Sequence, residues 1–219
     1  MPSDEELVGR IRGGEPALFE VLMRRHNRRL YRAARAILGD ADEAEDVMQQ
    51  AYLDAFLHLG QFEGRSRFST WLTRIAVHEA LARRRRRAVE EKAMPVDARL
   101  AGLRSRHDPE REAHAEELRR LLEHALDALP ARYRCAFVLR EVEGLSTAEV
   151  AECLGVSEEV VRTRLHRAKR MLRDGLYEKV GAAGPEAFEF HLARCDRVVA
   201  GVFARLGRLG ALSSGGRPA

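Results

Sequence analysis

The chain has 219 residues, of which 45% are hydrophobic but only 6% aromatic. That is enough for one or two domains whose cores are Leu, Ala and Val packed between helices. The net charge is +4, and the basic residues are clustered: 83–87 is an unbroken Arg run, and a second set lies in 162–173. Two separate cationic clusters suit a long polyanion better than a small acidic substrate. No apolar run is long enough to span a bilayer, and the acidic start predicts no secretory leader. Cys135, Cys153 and Cys195 lack Cys-x-x-Cys spacing, so they are expected as reduced, small apolar groups in a cytoplasmic protein.

In chain order, Ser3-Asp4-Glu5-Glu6 is a capping box that opens a short helix, which Gly13-Gly14 stops. Pro16 suits the first turn of a second helix that runs to Leu38 with Phe19, Leu22, Tyr31, Ala34 and Leu38 inward. Asp40 can cap a third helix to about Leu59. Its apolar face holds Val47, Met48, Tyr52 and Phe56, and its opposite face is acidic with Asp42, Glu43, Glu45 and Asp46 beside Gln49 and Gln50. The loop 60–66, GQFEGRS, sets Phe62 between glycines. A fourth helix follows from about Arg67 to Ala88, with Arg67, Trp71, Arg74, His78 and Arg85 close to one line. Arginines interleaved with an aromatic on one helix face suit stacking on unpaired bases and gripping phosphates; Trp71 can equally anchor the core.

From 89 to about 111 the periodicity fades, and Pro95, Gly102 and Pro109 punctuate the chain, which reads as a flexible linker. A helix then reaches Leu129, and Pro130 starts another that ends at Gly144. Residues 145–173, LSTAEVAECLGVSEEVVRTRLHRAKRMLR, read as two helices around a tight turn. Ser146 and Glu149 form a second capping box, Gly155 can take the left-handed backbone that ends a helix, and Ser157 caps the next. In that second helix Val161, Leu165, Ala168 and Leu172 make the buried stripe. Arg162, Thr163, Arg164, His166, Arg167, Lys169, Arg170 and Arg173 lie mostly off it. A short helix, a turn and a longer basic helix are the parts of a helix-turn-helix, whose second helix enters the major groove.

After Lys179, GAAGP reads as a hinge. A tail helix of about 186–209 follows, with Phe188, Leu192, Cys195, Val199, Val202, Leu206 and Leu209 at heptad spacing. It is expected to dock on the second domain; the alternative is a partner-binding helix. His191 and Cys195 stand as half of a zinc site, but Val198 occupies the place of a third ligand, so no metal and no cofactor are expected. No strand alternation occurs, so the fold class is all-α: domains at 1–88 and 112–179, a linker at 89–111 and an extension at 180–219.

Taken together, AEDVMQQAYLDAF (44–56), FEGRSRFSTWLTRIAVHEAL (62–81) and ALPARYRCAFVLREVEGLSTAEVAECLGVSEEVVRTRLHRAKRML (128–172) resemble bacterial RNA polymerase sigma factors of the extracytoplasmic-function (ECF) class. The resemblance implies that the first domain binds the polymerase clamp and the minus-ten promoter element. It implies that the second binds the flap and reads the minus-thirty-five element, while the linker threads toward the catalytic cleft. Asp46, Gln49 and Gln50 fall on the clamp-binding patch, with Gln50 where the family usually carries Glu. Phe62, Arg65 and Arg67 fall on the segment that captures a flipped base, with Trp71, Arg74, His78 and Arg85 beside it; His78 stands where many relatives have Asn. Arg162, Thr163, His166 and Arg167 match positions facing the major groove, where Arg suits guanine. Arg164, Lys169 and Arg170 suit phosphates. An anti-sigma factor comes into view as a further partner.

No Ser-His-Asp set, Gly-rich phosphate loop or metal cluster is evident, so the chain reads as a specificity subunit without catalysis. A stand-alone helix-turn-helix regulator is the alternative. A nucleic-acid enzyme is disfavoured by the lack of a carboxylate cluster on a basic face.

Overall fold

The computed structural model describes residues 2–93, 122–173, 197–198, 200–202 and 204–205, and among these every regular element is helical. α1 (Asp4–Arg12) starts on the expected box: Glu6 N–H donates to Ser3 Oγ (3.1 Å) and Ser3 N–H to Glu6 Oε2 (2.7 Å). It buries Leu7, Val8 and Ile11, and its last residue holds a loop. Arg12 Nε donates to the Leu59 carbonyl (3.0 Å) and Nη2 to that of Phe62 (2.6 Å), fixing the turn before α4.

A 3-10 turn, Pro16–Leu18, leads into α2 (Phe19–Leu38), which ends where Gly39 takes φ 77°. α3 (Ala41–Leu57) begins with the Asp40 carboxylate accepting from Glu43 N–H at 2.8 Å. α2, α3 and α4 (Phe68–Ala93) enclose the first core, in which Phe19 meets Phe56 edge-on at 5.1 Å and the Tyr52 hydroxyl donates to the Met23 carbonyl (3.0 Å). α4 runs to Ala93, past Ala88 where a linker was expected to begin. The residues 88–93 include Ala, Glu and Lys, which favour helix, and no breaker occurs before Pro95. Residues 94–121 lie outside the described chain.

The second unit comprises α5 (122–128), α6 (Ala131–Phe137) with a π-helical continuation over Val138–Val142, α7 (Thr147–Leu154) and α8 (Glu158–Leu172). α6 and α7 both pack on α8, burying Val161, Ala168 and Leu172.

The two units pack against each other, α2 on α6 and α4 on α7. The buried Arg134 of α6 is inserted at the end of α2. Its Nε donates to the Ala36 carbonyl (2.6 Å) and its Nη1 to the Asp127 carbonyl (2.9 Å), and Asp127 also takes both Nη atoms of Arg35 at 2.9 and 2.7 Å. Burial, partly offset by Asp127, pulls the Arg134 pKa below its ordinary value. Around the corner, Arg29 Nη2 donates to the Glu143 carbonyl (3.0 Å), and Arg32 stands 3.4 Å from the Glu143 carboxylate. None of these long-range pairs follows from periodicity, which says that a face is covered but not by what.

The tail corrects one expectation. Its described residues are helical and meet α3 of the first unit: Arg197 Nη2 donates to Glu45 Oε1 at 3.1 Å. Val198 and Val202 are both fully buried, so the face that faces inward includes a position beside the heptad stripe. The stripe itself carries no address, whereas Arg197 complements the acidic side of α3. His191 and Cys195 lie outside the described residues.

Candidate nucleic-acid interface

The helix-turn-helix forms as its capping residues dictate. Glu149 N–H donates to Ser146 Oγ (3.2 Å), Ser146 N–H donates to Glu149 Oε2 (2.8 Å), Gly155 takes φ 62°, and Val160 N–H donates to Ser157 Oγ (3.3 Å). Gly155 is therefore the residue that lets α7 stop and α8 leave at an angle.

Off the buried stripe, Arg162, Thr163, His166, Arg167 and Arg170 are exposed, with Arg164 and Lys169 half-buried. Arg162 pairs with Glu158 (2.9 Å) and Lys169 with Glu141 (3.0 Å). Arg167 Nη1 donates to the Tyr133 hydroxyl at 3.1 Å. Tyr133 buries its ring and brings only its oxygen to the rim, where Arg167 and then Arg132 favour the phenolate and lower its pKa. Tyr133 was not foreseen as a site residue; its place against Arg167 arises from α6 packing on α8. Thr163, Arg164 and Arg167 share a shallow cleft of about 280 Å³ with Arg132 and Tyr133.

On the first unit, Arg65 in the loop and Arg67, His78 and Arg85 are exposed, and Trp71 and Arg74 are half-buried. Phe62 departs from expectation. Its ring is only 6% exposed and packs at 5.5 Å against both Phe68 and Trp71, so it presents no free stacking face. The carbonyl grip of Arg12 draws it inward, and it serves as the wall behind Trp71. Trp71 is packed on one side against the core and lines a cleft of about 500 Å³ with His58, Arg74, His78 and Glu152. Partial desolvation, with Arg74 and Arg85 adding to it, lowers the His78 pKa, so the imidazole is neutral at pH 7 and offers one donor and one acceptor.

This line is capped by α7. Thr70 Oγ1 donates to Glu149 Oε1 at 2.7 Å, and Arg74 is ion-paired with Glu152. Burial raises the Glu149 pKa, but the Ser146 N–H, the Thr70 and Ser146 hydroxyls and Arg67 outweigh it and hold the carboxyl below the usual range. On α3, Asp46 is exposed and paired with Arg83 (2.9 Å), Gln50 donates to Asp54 (2.9 Å), and Gln49 is half-buried beside Gly201.

Residues 22–89 match the family described as Sigma-70 region 2, and 119–172 match Sigma-70, region 4. The chain is 32% identical over 180 residues to the RNA polymerase sigma-H factor of Pseudomonas aeruginosa, a match covering 79% of this chain and 93% of that protein. It is 35% identical over 181 residues to the ECF RNA polymerase sigma factor SigE of Mycolicibacterium smegmatis, covering 80% and 70%. The chain belongs to the ECF sigma factors of RNA polymerase.

Among solved structures this ECF sigma factor resembles CnrH, solved with the cytosolic domain of CnrY. That match has a TM-score of 0.55 at 26% identity, covering 81% of this chain and 99% of that one. It shares its fold with RpoE of Bartonella quintana, solved with the anti-sigma factor NepR (TM-score 0.58, 23% identity, 75% and 96% covered). The sigma factor's two family regions coincide with the two helical units, and neither reaches the tail. Cys135 and Cys153 are buried, and burial pushes both thiols up, that of Cys153 to about 12, so neither is a nucleophile. Among the described residues no cluster fit to hold a metal occurs, and no helix is long and apolar enough to cross a membrane.

Proposed function

We propose that this sigma factor is a non-catalytic promoter-specificity subunit that works in the cytoplasm and divides its contacts among three surfaces. Asp46, Gln49 and Gln50 on α3 meet the polymerase clamp. Trp71, Arg74 and His78 receive unpaired bases of the minus-ten element, with Arg65, Arg67 and Arg85 on the phosphates and Phe62 supporting Trp71. Extruding a base costs a few kcal/mol of stacking, which an aromatic and polar cleft can offset. On α8, Arg162, Thr163, His166 and Arg167 read the minus-thirty-five element while Arg164, Lys169 and Arg170 fix the register, and the second unit also touches the flap.

The observation that carries this reading is the exposed basic face of α8 behind a correctly capped turn. The contacts between α4 and α7 add a requirement. Promoter elements some 25 base pairs apart are separated by roughly 85 Å at 3.4 Å per pair. Units joined by the Thr70–Glu149 hydrogen bond and the Arg74–Glu152 pair cannot reach both, and those pairs occupy the minus-ten line. The closed arrangement therefore belongs to the free protein and opens on polymerase. Reconstituted transcription with core polymerase on genomic fragments tests the reading. Discrete start sites preceded by a shared pair of elements are expected; no initiation above core polymerase alone would refute it.

A further inference from the structure

The region-4 match ends at residue 172, so the tail belongs to neither family region. Its described residues nevertheless have a defined seat. Arg197 straddles the Glu45 carboxylate, Nη2 to Oε1 at 3.1 Å and Nε to Oε2 at 3.4 Å. Glu45 is itself only 8% exposed. The hydrogen bond and charge of Glu45, with Asp42 adding to them, raise the Arg197 pKa. Val198, one residue on, and Val202 are fully buried, in the apolar cluster that runs through both units. Gly201 completes the fit: a Cβ there would stand 2.9 Å from Gln49 Cδ and Oε1, so the tail backbone lies directly on the Gln49 amide.

Glu45 and Gln49 are one turn apart on α3 and form the row beside Asp46 and Gln50. We infer that this face of α3 is a helix-docking surface, that the chain's own tail helix occupies it, and that the tail competes with core polymerase for it. The inference rests on the proposed clamp role of Asp46, Gln49 and Gln50. Three properties name the tail as the occupant: apolar side chains inward, an arginine opposite a largely buried glutamate, and a glycine where an amide needs the room. Since Gln49 lies under Gly201, clamp and tail cannot both hold it. The tail acts as a tethered competitor, which lowers apparent polymerase affinity by the fraction of molecules in which it is seated.

The test uses the full-length protein and purified bacterial core RNA polymerase. V198D/V202D and, separately, R197E unseat the tail without altering α3. If the tail is seated in about nine molecules of ten, V198D/V202D binds core about tenfold more tightly than wild type, and R197E shifts in the same direction. Amide hydrogen exchange over 197–205 is expected to be slow in free wild type and fast both in V198D/V202D and in wild type bound to core. Affinity unchanged or weakened by V198D/V202D, or tail amides that stay protected on core polymerase, overturns the inference. D46R in the same binding assay separates this failure from the other. Weakened binding by D46R keeps the clamp assignment standing whatever the tail does; unaltered binding removes the clamp assignment, and the competition with it.

Discussion

At the scale of single residues, the side chains that matter have already found partners in the free protein. Arg167 rests on the Tyr133 hydroxyl, which limits its rotamers and aims it along the exposed face of α8. A bidentate Arg–guanine pair carries about 1–3 kcal/mol of discrimination. R167A should therefore lower use of promoters with an intact upstream element by roughly ten- to a hundredfold, read in transcription assays. It should leave polymerase affinity and melting temperature nearly unchanged. Glu149 gives a pH signature. Its folded carboxyl lies below the ordinary value of 4.5, so its stabilising contribution is fully present above that pH and is lost as pH falls through the folded value. In melting curves taken between about pH 7 and 3, wild type should lose more stability below about pH 4.5 than E149Q, and equal profiles would contradict the Thr70–Glu149 bond. Phe62 teaches a different lesson. The family resemblance put it on the segment that captures a base, but two backbone carbonyls of that turn are held by an arginine from α1, a contact that no local pattern announces.

Elements were the most legible level, because their ends are written in local chemistry. Ser3 with Glu6, Asp40, and Ser146 with Glu149 announced three helix starts, and Gly155 announced a stop. The far end of α4 was less legible because no residue there favours a cap, so the helix continues on propensity alone to Ala93. The π-helical turn at Val138–Val142 was also silent in sequence. The two capping boxes allow a paired comparison. S146A and S3A should each cost about 1 kcal/mol, a fall of about 2–4 °C in melting temperature for a chain of this size. Only S146A should also weaken promoter binding by the holoenzyme, because only that box sets the angle at which α8 is presented. Equal effects of both on promoter binding would show that α7 does not orient α8.

For the whole molecule, the arrangement of parts escaped the sequence almost entirely. A stretch poor in periodicity between two helical units suggested independent domains. The chain instead joins them through Arg134 under the end of α2, Arg29 and Arg32 around Glu143, and α7 against α4. The tail was expected on the second unit, whereas its described residues lie against α3 of the first: an apolar stripe reports that it is buried, and the Arg197–Glu45 pair and the Gly201–Gln49 contact report where. Both findings have one consequence. On the proposed division of contacts, the free protein covers its own binding surfaces, α7 lying on the Trp71 side of α4 and the described tail residues on α3, so that polymerase has to displace both before the promoter is read. The most direct measurement is a mobility-shift titration of promoter duplex with the purified full-length protein, with and without core polymerase. Sequence-specific binding that depends on the polymerase is the expected result; tight, specific binding to the duplex by the protein alone would contradict it.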